Sequence, residues 1–450
     1  MRASAFGFLT LVFVLLCAAA PPSARAQAWN QGWPRSAPAN FSDDPSVYID
    51  INRGGGRKFN VAVTELLPQN EGGKVDRNAI GLPERLSKNL VMTGLFNSLD
   101  KRSYLEPESL KRAGLEGASS LPEFPSWSKI GADFLVKGAM SASGSRLALD
   151  MRLFDVGLGR QILSQRYSGP LKDGRKMINQ FTNAVLEAIT GLPGVFGSEI
   201  IFASGPPSTK AIMLTELGSD EAVQVAGHRG GPSTQPTLGP KGRKAWVRRN
   251  NKAWELVVDG KVVSSGETHL SPGFRPDGQV AAAVSGPQST DIYLFSGRNK
   301  TRLTTAGGIN VSPSFSPDGS RMAYASDQGG VVTIYVAPAG GGPGQPLVTG
   351  AKATDPAWSP TGEYIAFVGR ETDICIIRPD GTGLRQLTGG QGANQRPSFS
   401  PDGRMIVFSS TRNGGKPQLF VMAANGDSQQ PLMPDYGPPQ EQPFWSPVKP

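Results

Sequence analysis

The segment Pro313-Ser-Phe315-Ser-Pro317-Asp-Gly319 decides the fold, because the second half of the chain carries six related copies of it. Each copy has a proline, a spacer, an aromatic or apolar residue, a second spacer and a second proline. The second prolines are Pro240, Pro276, Pro317, Pro360, Pro401 and Pro447. They are separated by 36, 41, 43, 41 and 46 residues. A repeat of about 40 residues in strand-like sequence is typical of a β-propeller blade.

The chemistry of the motif explains the strand and the turn that it predicts. Proline fixes its own φ and holds the preceding residue in an extended conformation, so Phe315-Ser316 should end a strand. Pro317-Asp318 fits the centre of a type I turn, and Gly319 fits the next position. A short apolar run such as Met322-Ala-Tyr324 follows, and two more strand-like runs come before the next copy. Four strands per repeat predict one blade.

The two ends of this region predict how the propeller closes. The last copy, Pro443-Phe-Trp445-Ser-Pro447, has no blade after it. The run Glu199-Ile-Ile-Phe-Ala203 lies before the first copy and has no Pro-x-aromatic strand of its own. Pairing these two segments would remove two free sheet edges. We therefore predict a six-bladed propeller over residues 198–450.

The N-terminus has the pattern of a secretory signal. Arg2 precedes an apolar run over residues 5–20, and Ala24-Arg-Ala26 has the small-x-small form of a cleavage site. We expect residues 1–26 to be a signal peptide removed before Gln27. A transmembrane anchor is the alternative, but the run is short for a span. We expect no transmembrane segment in the mature chain.

Charge and cysteine usage narrow the function classes. The formal net charge of +9 would fall to +7 on loss of Arg2 and Arg25. The densest basic cluster lacks interleaved aromatic residues, so we expect a solvated hairpin there and no nucleic-acid partner. This cluster comprises Lys241, Arg243, Lys244, Arg248, Arg249 and Lys252. Only Cys375 would remain after cleavage, which excludes an intramolecular disulfide.

The first half of the mature chain predicts two regions. Residues 27–46 are polar and rich in Pro and Ser, which predicts a flexible segment. Trp29 and Trp33 within it either anchor a partner or pack on the neighbouring domain, and the sequence favours neither reading. Residues 47–197 predict an α/β domain with a mixed sheet and two helices. Strands are expected at Val47–Ile51 and Phe59–Val63, among others, and a helix is expected to start near Asp76.

The second predicted helix follows Asp173, a good N-cap, and carries Met177, Phe181, Val185 and Ile189 on one face. Gly191-Leu-Pro193-Gly194 should end it and lead into the propeller.

Motifs of enzymes and metal sites are missing from the sequence. There is no G-x-S-x-G, Walker A or H-E-x-x-H pattern. His228 and His269 both lie beside turn residues, which favours surface positions. We therefore predict no enzymatic activity, no cofactor and no metal. A secreted propeller hydrolase or lyase acting on glycans or peptides is the alternative, and paired carboxylates at the channel would support it. A third possibility is an unrelated propeller that binds a ligand or metal in its channel.

Several segments outside the repeat resemble one family in the same order along the chain. They are Asn60-Val-Ala-Val63, Thr93-Gly-Leu-Phe96, Gly131-Ala-Asp133-Phe-Leu-Val-Lys-Gly138, Phe154-Asp155-Val156, Thr190-Gly-Leu-Pro-Gly194-Val-Phe196 and the final Pro443-Phe-Trp-Ser-Pro447. Together with the repeat, they resemble the TolB family of periplasmic propeller proteins of the Tol–Pal system.

This resemblance implies a monomeric, non-enzymatic periplasmic scaffold. The propeller would bind a Pal-like peptidoglycan-associated lipoprotein. The N-terminus would bind a TolA-like inner-membrane protein. The assembly would support outer-membrane integrity and constriction at cell division.

The resemblance also implies where partners bind. The propeller face would be formed by the loops that precede each Pro-x-aromatic strand, where ring geometry makes the loops converge. These loops hold Thr268, Ser271, Asn310, Ser312, Thr354, Asp355, Gln395 and Arg396. The N-terminal site would contain Trp29, Trp33, Tyr48, Ile49 and Ile51.

Overall fold

A computed structural model describes residues 57–69, 81–106, 111–115, 121–227, 230–251, 253–297, 299–369 and 372–447. The predicted strand Val47–Ile51 and the site residues Trp29, Trp33, Tyr48, Ile49 and Ile51 lie outside these ranges. No helix within the described ranges combines the length and the hydropathy needed to cross a bilayer.

The N-terminal domain is built on a mixed five-stranded sheet. Its strands are β1 Phe59–Pro68, β2 Phe96–Ser98, β3 Phe134–Ser143, β4 Arg146–Asp155 and β5 Arg160–Pro170. They lie in the order β2-β1-β3-β4-β5. The pairs of β1 with β2 and with β3 are parallel, and the pairs of β4 with β3 and with β5 are antiparallel. The prediction of a mixed sheet is confirmed.

Two long helices cover one face of this sheet. The first is α1 Leu82–Met92 and the second is α3 Gly174–Thr190, and between them lies the short α2 Phe124–Lys129. The predicted start near Asp76 falls outside the described residues; α1 begins after Gly81, whose φ is 92°. Helix α3 begins directly after Asp173, but that side chain makes no capping hydrogen bond.

The apolar faces of the helices are buried as their spacing predicts. Leu86 and Leu90 of α1 and Phe181 and Val185 of α3 have no exposed surface. They pack in one cluster with the alternate residues of β4. Helix α2 was not expected, and it places Trp127, which is 1 % exposed, on the opposite face of the sheet.

The propeller begins with β6 Glu199–Ser204, β7 Ala211–Glu216 and β8 Val223–Ala226. The second blade contains β9 Ser233–Leu238, β10 Lys244–Asn250, β11 Ala253–Val258 and β12 Lys261–Ser265. The third contains β13 Thr268–Phe274, β14 Val280–Ser285, β15 Thr290–Ser296 and β16 Asn299–Arg302.

The remaining blades repeat this plan. The fourth contains β17 Asn310–Phe315, β18 Arg321–Ser326, β19 Thr333–Pro338 and β20 Gln345–Pro346. The fifth contains β21 Ala353–Trp358, β22 Ile365–Gly369, β23 Asp373–Ile377 and β24 Arg385–Gln386. The sixth contains β25 Asn394–Phe399, β26 Met405–Ser410, β27 Gln418–Ala423 and β28 Gln430–Pro431.

The last strand, β29 Gln440–Trp445, closes the ring. It pairs antiparallel with β6, with Trp445 opposite Ile200 and Gln440 opposite Ser204, so the first blade is β29-β6-β7-β8. Trp445 is 1 % exposed, and its indole N–H donates to Ser198 Oγ at 2.7 Å. The six-bladed fold is therefore confirmed.

The N-terminal domain contacts the propeller beside the Ser-Pro-Asp-Gly turns. Arg404, which follows the turn of the sixth blade, donates to the carbonyl of Pro193 at 2.5 Å. Arg85 of α1 forms an ion pair with Asp220 and donates to the carbonyl of Gly218 at 2.9 Å. The loops that precede the Pro-x-aromatic strands lie at the opposite ends of those strands, away from these contacts.

The expected surface position of His269 is wrong. Its side chain has no exposed surface, because residue 269 lies within β13 rather than in the preceding turn. His228 lies outside the described residues.

Candidate functional site

Every Pro-x-aromatic strand contains the same backbone irregularity at the first proline. We call this strand the inner strand of its blade. At this point it has one residue more than the strand it pairs with, in all six blades. The residue before the proline has a positive φ in all six blades: Gln235 (53°), Ser271 (47°), Ser312 (56°), Asp355 (51°), Arg396 (52°) and Gln442 (55°). We call these six residues the channel ring.

Proline explains the irregularity. It cannot donate a ladder hydrogen bond, so within a sheet it is confined to edges and bulges. A bulge with its first residue in the left-handed region accommodates the proline and turns the preceding side chain. A left-handed residue other than glycine costs on the order of 1–3 kcal/mol and persists only where its surroundings hold it. The protein keeps this unfavourable backbone conformation at six equivalent positions, so the channel ring is a candidate site.

Hydrogen bonds link the ring residues around the channel. Gln442 Oε1 accepts from the Gln235 N–H at 2.8 Å, and Gln235 Oε1 accepts from the Ser271 N–H at 2.6 Å. The Ser312 hydroxyl lies 3.4 Å from both Ser271 Oγ and Asp355 Oδ1. These contacts run from Gln442 to Asp355, so the channel ring forms a polar layer across the channel.

One ion pair lies within this layer, between the fifth and sixth blades. Arg396 Nε lies 3.1 Å from Asp355 Oδ1, and Arg396 Nη2 donates to Ser271 Oγ at 3.1 Å. The side chains of Arg396 and Asp355 are 26 % and 20 % exposed, so the pair is partly screened by solvent. Arg396 thus combines a charge, partial exposure and a fixed position.

A cavity of about 510 Å³ lies along the channel on one side of the ring. Its lining residues lie at the ring position or later in their strands, toward the Ser-Pro-Asp-Gly turns. Both prolines of all six motif copies contribute, with aromatic side chains such as Phe315 and Trp358. Among the described residues that line it, Asp355 carries the single carboxylate. The channel ring therefore separates an apolar cavity from the face formed by the loops before the inner strands.

The structure brings four of the predicted propeller residues together. Ser271, Ser312, Asp355 and Arg396 are consecutive members of the channel ring. Three further predicted residues lie earlier in the inner strands: Thr268 and Thr354 are half-buried, and Gln395 is exposed.

Asn310 differs from the expectation of an exposed loop residue. Its side chain is fully buried and donates to the carbonyls of Thr290 at 3.1 Å and Gly307 at 3.0 Å. It also approaches Asp291 Oδ1 at 3.3 Å, on the neighbouring blade. Asn310 therefore joins two blades beneath the face and does not present its amide there.

Sequence reasoning missed two members of the ring. Gln235 precedes the most divergent copy of the motif, and Gln442 precedes the truncated final copy. The position before the first proline was the available signal, because it is the ring position in every blade.

No group of three or more His, Cys, Asp or Glu side chains arranged to hold a metal ion occurs among the residues that the structure describes.

Comparison with known proteins finds a matching family model for each half of the chain. The family model for the TolB amino-terminal domain matches residues 47–162, and the model for the TolB beta propeller domain matches residues 186–449. A protein TolB homolog from Chlorobium luteolum is 33 % identical over 413 residues, covering 89 % of this chain and 92 % of that protein. A Tol-Pal system protein TolB from Syntrophotalea carbinolica is 32 % identical over 196 residues, or 44 % of each chain.

A solved structure shares the fold. The crystal structure of TolB from Acinetobacter baumannii has a TM-score of 0.74 and 23 % sequence identity, covering 87 % of this chain and 98 % of that chain. The propeller model alone spans more than half of the sequence, and the Chlorobium relative matches along nearly its whole length. This chain belongs to the TolB family.

Proposed function

We propose that this chain is a monomeric, non-enzymatic periplasmic scaffold of the Tol–Pal system. Its propeller docks a Pal-like peptidoglycan-associated lipoprotein, and its N-terminal segment binds a TolA-like inner-membrane protein. The resulting link supports outer-membrane integrity and constriction during division. Residues 1–26 are its signal peptide, 27–46 its N-terminal segment, 47–197 its first domain and 198–450 its propeller.

The channel ring is the observation that carries the propeller part of this proposal. It holds polar side chains at fixed positions in the channel, between the cavity and the face away from the N-terminal domain contacts. A rigid site orders little backbone on binding, so more of the contact energy remains as affinity. Arginine is among the residue types that dominate interface energetics, which makes Arg396 the expected anchor.

The cavity chemistry favours recognition over turnover. A hydrolase or lyase working with two carboxylates needs both at the channel. Among the described lining residues, Asp355 carries the single carboxylate, and Arg396 is paired with it. Turnover of a periplasmic glycan that is lost in Asp355→Asn would favour the enzyme instead.

Binding of the soluble domain of the host's Pal-like lipoprotein tests the docking face. We expect Arg396→Ala to weaken the affinity measured by calorimetry at least about tenfold, or ~1.4 kcal/mol. The matched control is Lys261→Ala, an exposed basic residue of β12 outside the channel. Equal affinities for the two variants, or no binding by the unaltered chain, would contradict the proposal.

Removal of residues 27–46 tests the N-terminal part. We expect the truncated protein to lose affinity for the TolA-like partner and to keep its affinity for the Pal-like domain. Unchanged affinity for both partners would reduce this segment to a spacer.

A further inference from the structure

Strand β5 forms an open edge of the N-terminal sheet. Seven of the ten residues of β3 are buried and five of the ten in β4, whereas none of the eleven in β5 is. Seven residues of β5 are exposed, and among the described strands it pairs with β4 alone. No residue of β5 is fully buried, and the strand is unusually long for an edge.

The outer backbone groups of β5 have no partner in the described part of the chain. Its one bulge lies near Gln161, and from Leu163 to Gly169 the pairing with β4 is regular. In an antiparallel pair, alternate residues point their N–H and C=O groups away from the partner strand. Such an edge is a template for one more strand.

Basic residues surround this edge. Arg160 and Arg166 lie on β5, Arg146 opposes its last residue, and Lys172 and Lys176 follow it. All five are exposed, and within the described residues none of them forms an ion pair. Lys176 also lies in the first turn of α3, where the helix dipole disfavours a cation.

Nearby carboxylates cancel only part of this charge. Asp150, opposite Arg166, lies 3.4 Å from Arg152. Among the described carboxylates, the five basic residues therefore face only Asp155, opposite Arg160, and Asp173, next to Lys172. The edge therefore carries excess positive charge, which attracts anionic groups and raises their rate of encounter.

We propose that β5 is a docking edge for an acidic, extended segment of a partner protein, which adds a sixth strand to the N-terminal sheet. Main-chain hydrogen bonds supply the pairing, and carboxylates of the segment meet the basic residues around β5. This site is separate from the channel ring, so its existence does not depend on docking at the propeller.

The charge pattern distinguishes this partner from two other occupants. A second copy of the chain would bring two sets of unpaired basic residues together, which is unfavourable. An anionic membrane would satisfy the charges and leave the edge hydrogen bonds unmade. Only an acidic strand satisfies both features.

A short peptide that alternates threonine and glutamate is the probe, with full-length mature protein as its target. We expect saturable binding with hydrogen–deuterium exchange protection at residues 163–169. The variant Arg160→Glu/Arg166→Glu should bind at least about tenfold more weakly at low salt. Lys261→Glu on the propeller is the control for a general charge effect and should bind as the unaltered chain does.

Two further probes separate backbone pairing from adsorption. The same peptide with alternate backbone nitrogens methylated keeps its charge but loses its edge donors, so it should neither bind nor protect β5. Equal binding of the methylated peptide would overturn the proposal, as would the absence of protection at residues 163–169. Concentration-dependent dimerisation through β5, or protection by phosphatidylglycerol vesicles but not by the peptide, would overturn it too.

Discussion

At the scale of single residues, the position before each first proline shows how a local constraint creates a site. The backbone geometry is the same in six blades, whereas the side chain is Gln, Ser, Ser, Asp, Arg or Gln. Proline dictates the bulge, and the bulge needs no particular side chain before it. The sequence there can therefore change to suit a partner while the fold is kept.

His269 is a fully buried polar residue in apolar surroundings. Asn310 and Asn394 occupy the equivalent position of the fourth and sixth blades, and both use their amides to join blades. Neither ring nitrogen of His269 meets hydrogen-bond geometry with any described residue, and the ring lies 6.1 Å from that of Phe295. Burial lowers the pKa of His269, although the nearby carboxylate of Glu267 opposes this shift.

We expect this histidine to make the protein less stable in acid. The folded-state pKa lies below the unfolded value of about 6.5, so the unfolded chain binds more protons between the two. The contribution of neutral His269 to the free energy of unfolding is complete above about pH 6.5. It is lost as the pH falls through the folded pKa, by at most ~1.4 kcal/mol per pH unit. His269→Asn should flatten the pH dependence of the free energy of unfolding, measured in urea between about pH 7.5 and 5. Parallel curves for both proteins would assign the acid sensitivity to other groups.

At the scale of elements, buried polar clusters join neighbouring blades at two places. Asp373 begins β23, Thr388 follows β24 and Asn394 begins β25. Thr388 Oγ1 donates to Asp373 Oδ1 at 2.9 Å, accepts from the Ile374 N–H at 2.9 Å and lies 3.3 Å from Asn394 Nδ2. Asp291, Thr304 and Asn310 form the same arrangement between the third and fourth blades. These clusters therefore link neighbouring blades through buried hydrogen bonds.

Replacing the central hydroxyl of the cluster tests its role. Thr388→Val keeps the shape of the side chain but leaves the Asp373 carboxylate and the Ile374 N–H short of a partner. Unsatisfied buried groups cost about 1–3 kcal/mol, so we expect the free energy of unfolding to fall by that amount. Thr301→Val on the exposed edge strand β16 is the control and should change it by less than about 0.5 kcal/mol. Chemical denaturation of both variants provides the comparison. Equal free energies of unfolding would show that the cluster does not stabilise the fold.

At the scale of the whole molecule, one strand makes the propeller a closed ring. Strand β29 comes from the end of the chain and pairs with β6, so the first blade unites residues more than two hundred positions apart. Trp445 belongs to this junction, and its cluster contains residues of the N-terminal domain, such as Phe196, and of the sixth blade, such as Val421. Closure therefore couples the first and last blades with the neighbouring domain.

We expect Trp445→Ala to destabilise the whole molecule. Removing a buried tryptophan costs about 3–5 kcal/mol through lost burial and the cavity left behind. Because the junction links both domains, their unfolding transitions in circular dichroism should move together. Val331→Ala, at a side chain that is 56 % exposed, is the control and should have little effect. A loss confined to the first blade would show that the ring tolerates an open junction.

The repeat, the turns and the closing strand follow from the sequence alone. A fixed proline φ, an Asp-Gly turn and alternating apolar residues act over a few neighbouring positions, so they can be read directly from segments such as Pro313–Gly319. The number of blades follows as well. The last motif copy has no blade after it and the run at Glu199 has no motif strand before it, so the two segments complete one blade. Four members of the channel ring were named from the family resemblance, which implies partner contacts in the loops before the Pro-x-aromatic strands.

Tertiary structure alone decided which of those positions face the channel and which lie between blades. Asn310 and Ser312 are two residues apart, yet one is buried against the preceding blade and the other belongs to the channel ring. The burial of His269 and the open edge at β5 were equally invisible in the sequence. Each depends on what a neighbouring blade or strand places opposite it. Such contacts join residues far apart in the chain, and no local pattern of residue types encodes them.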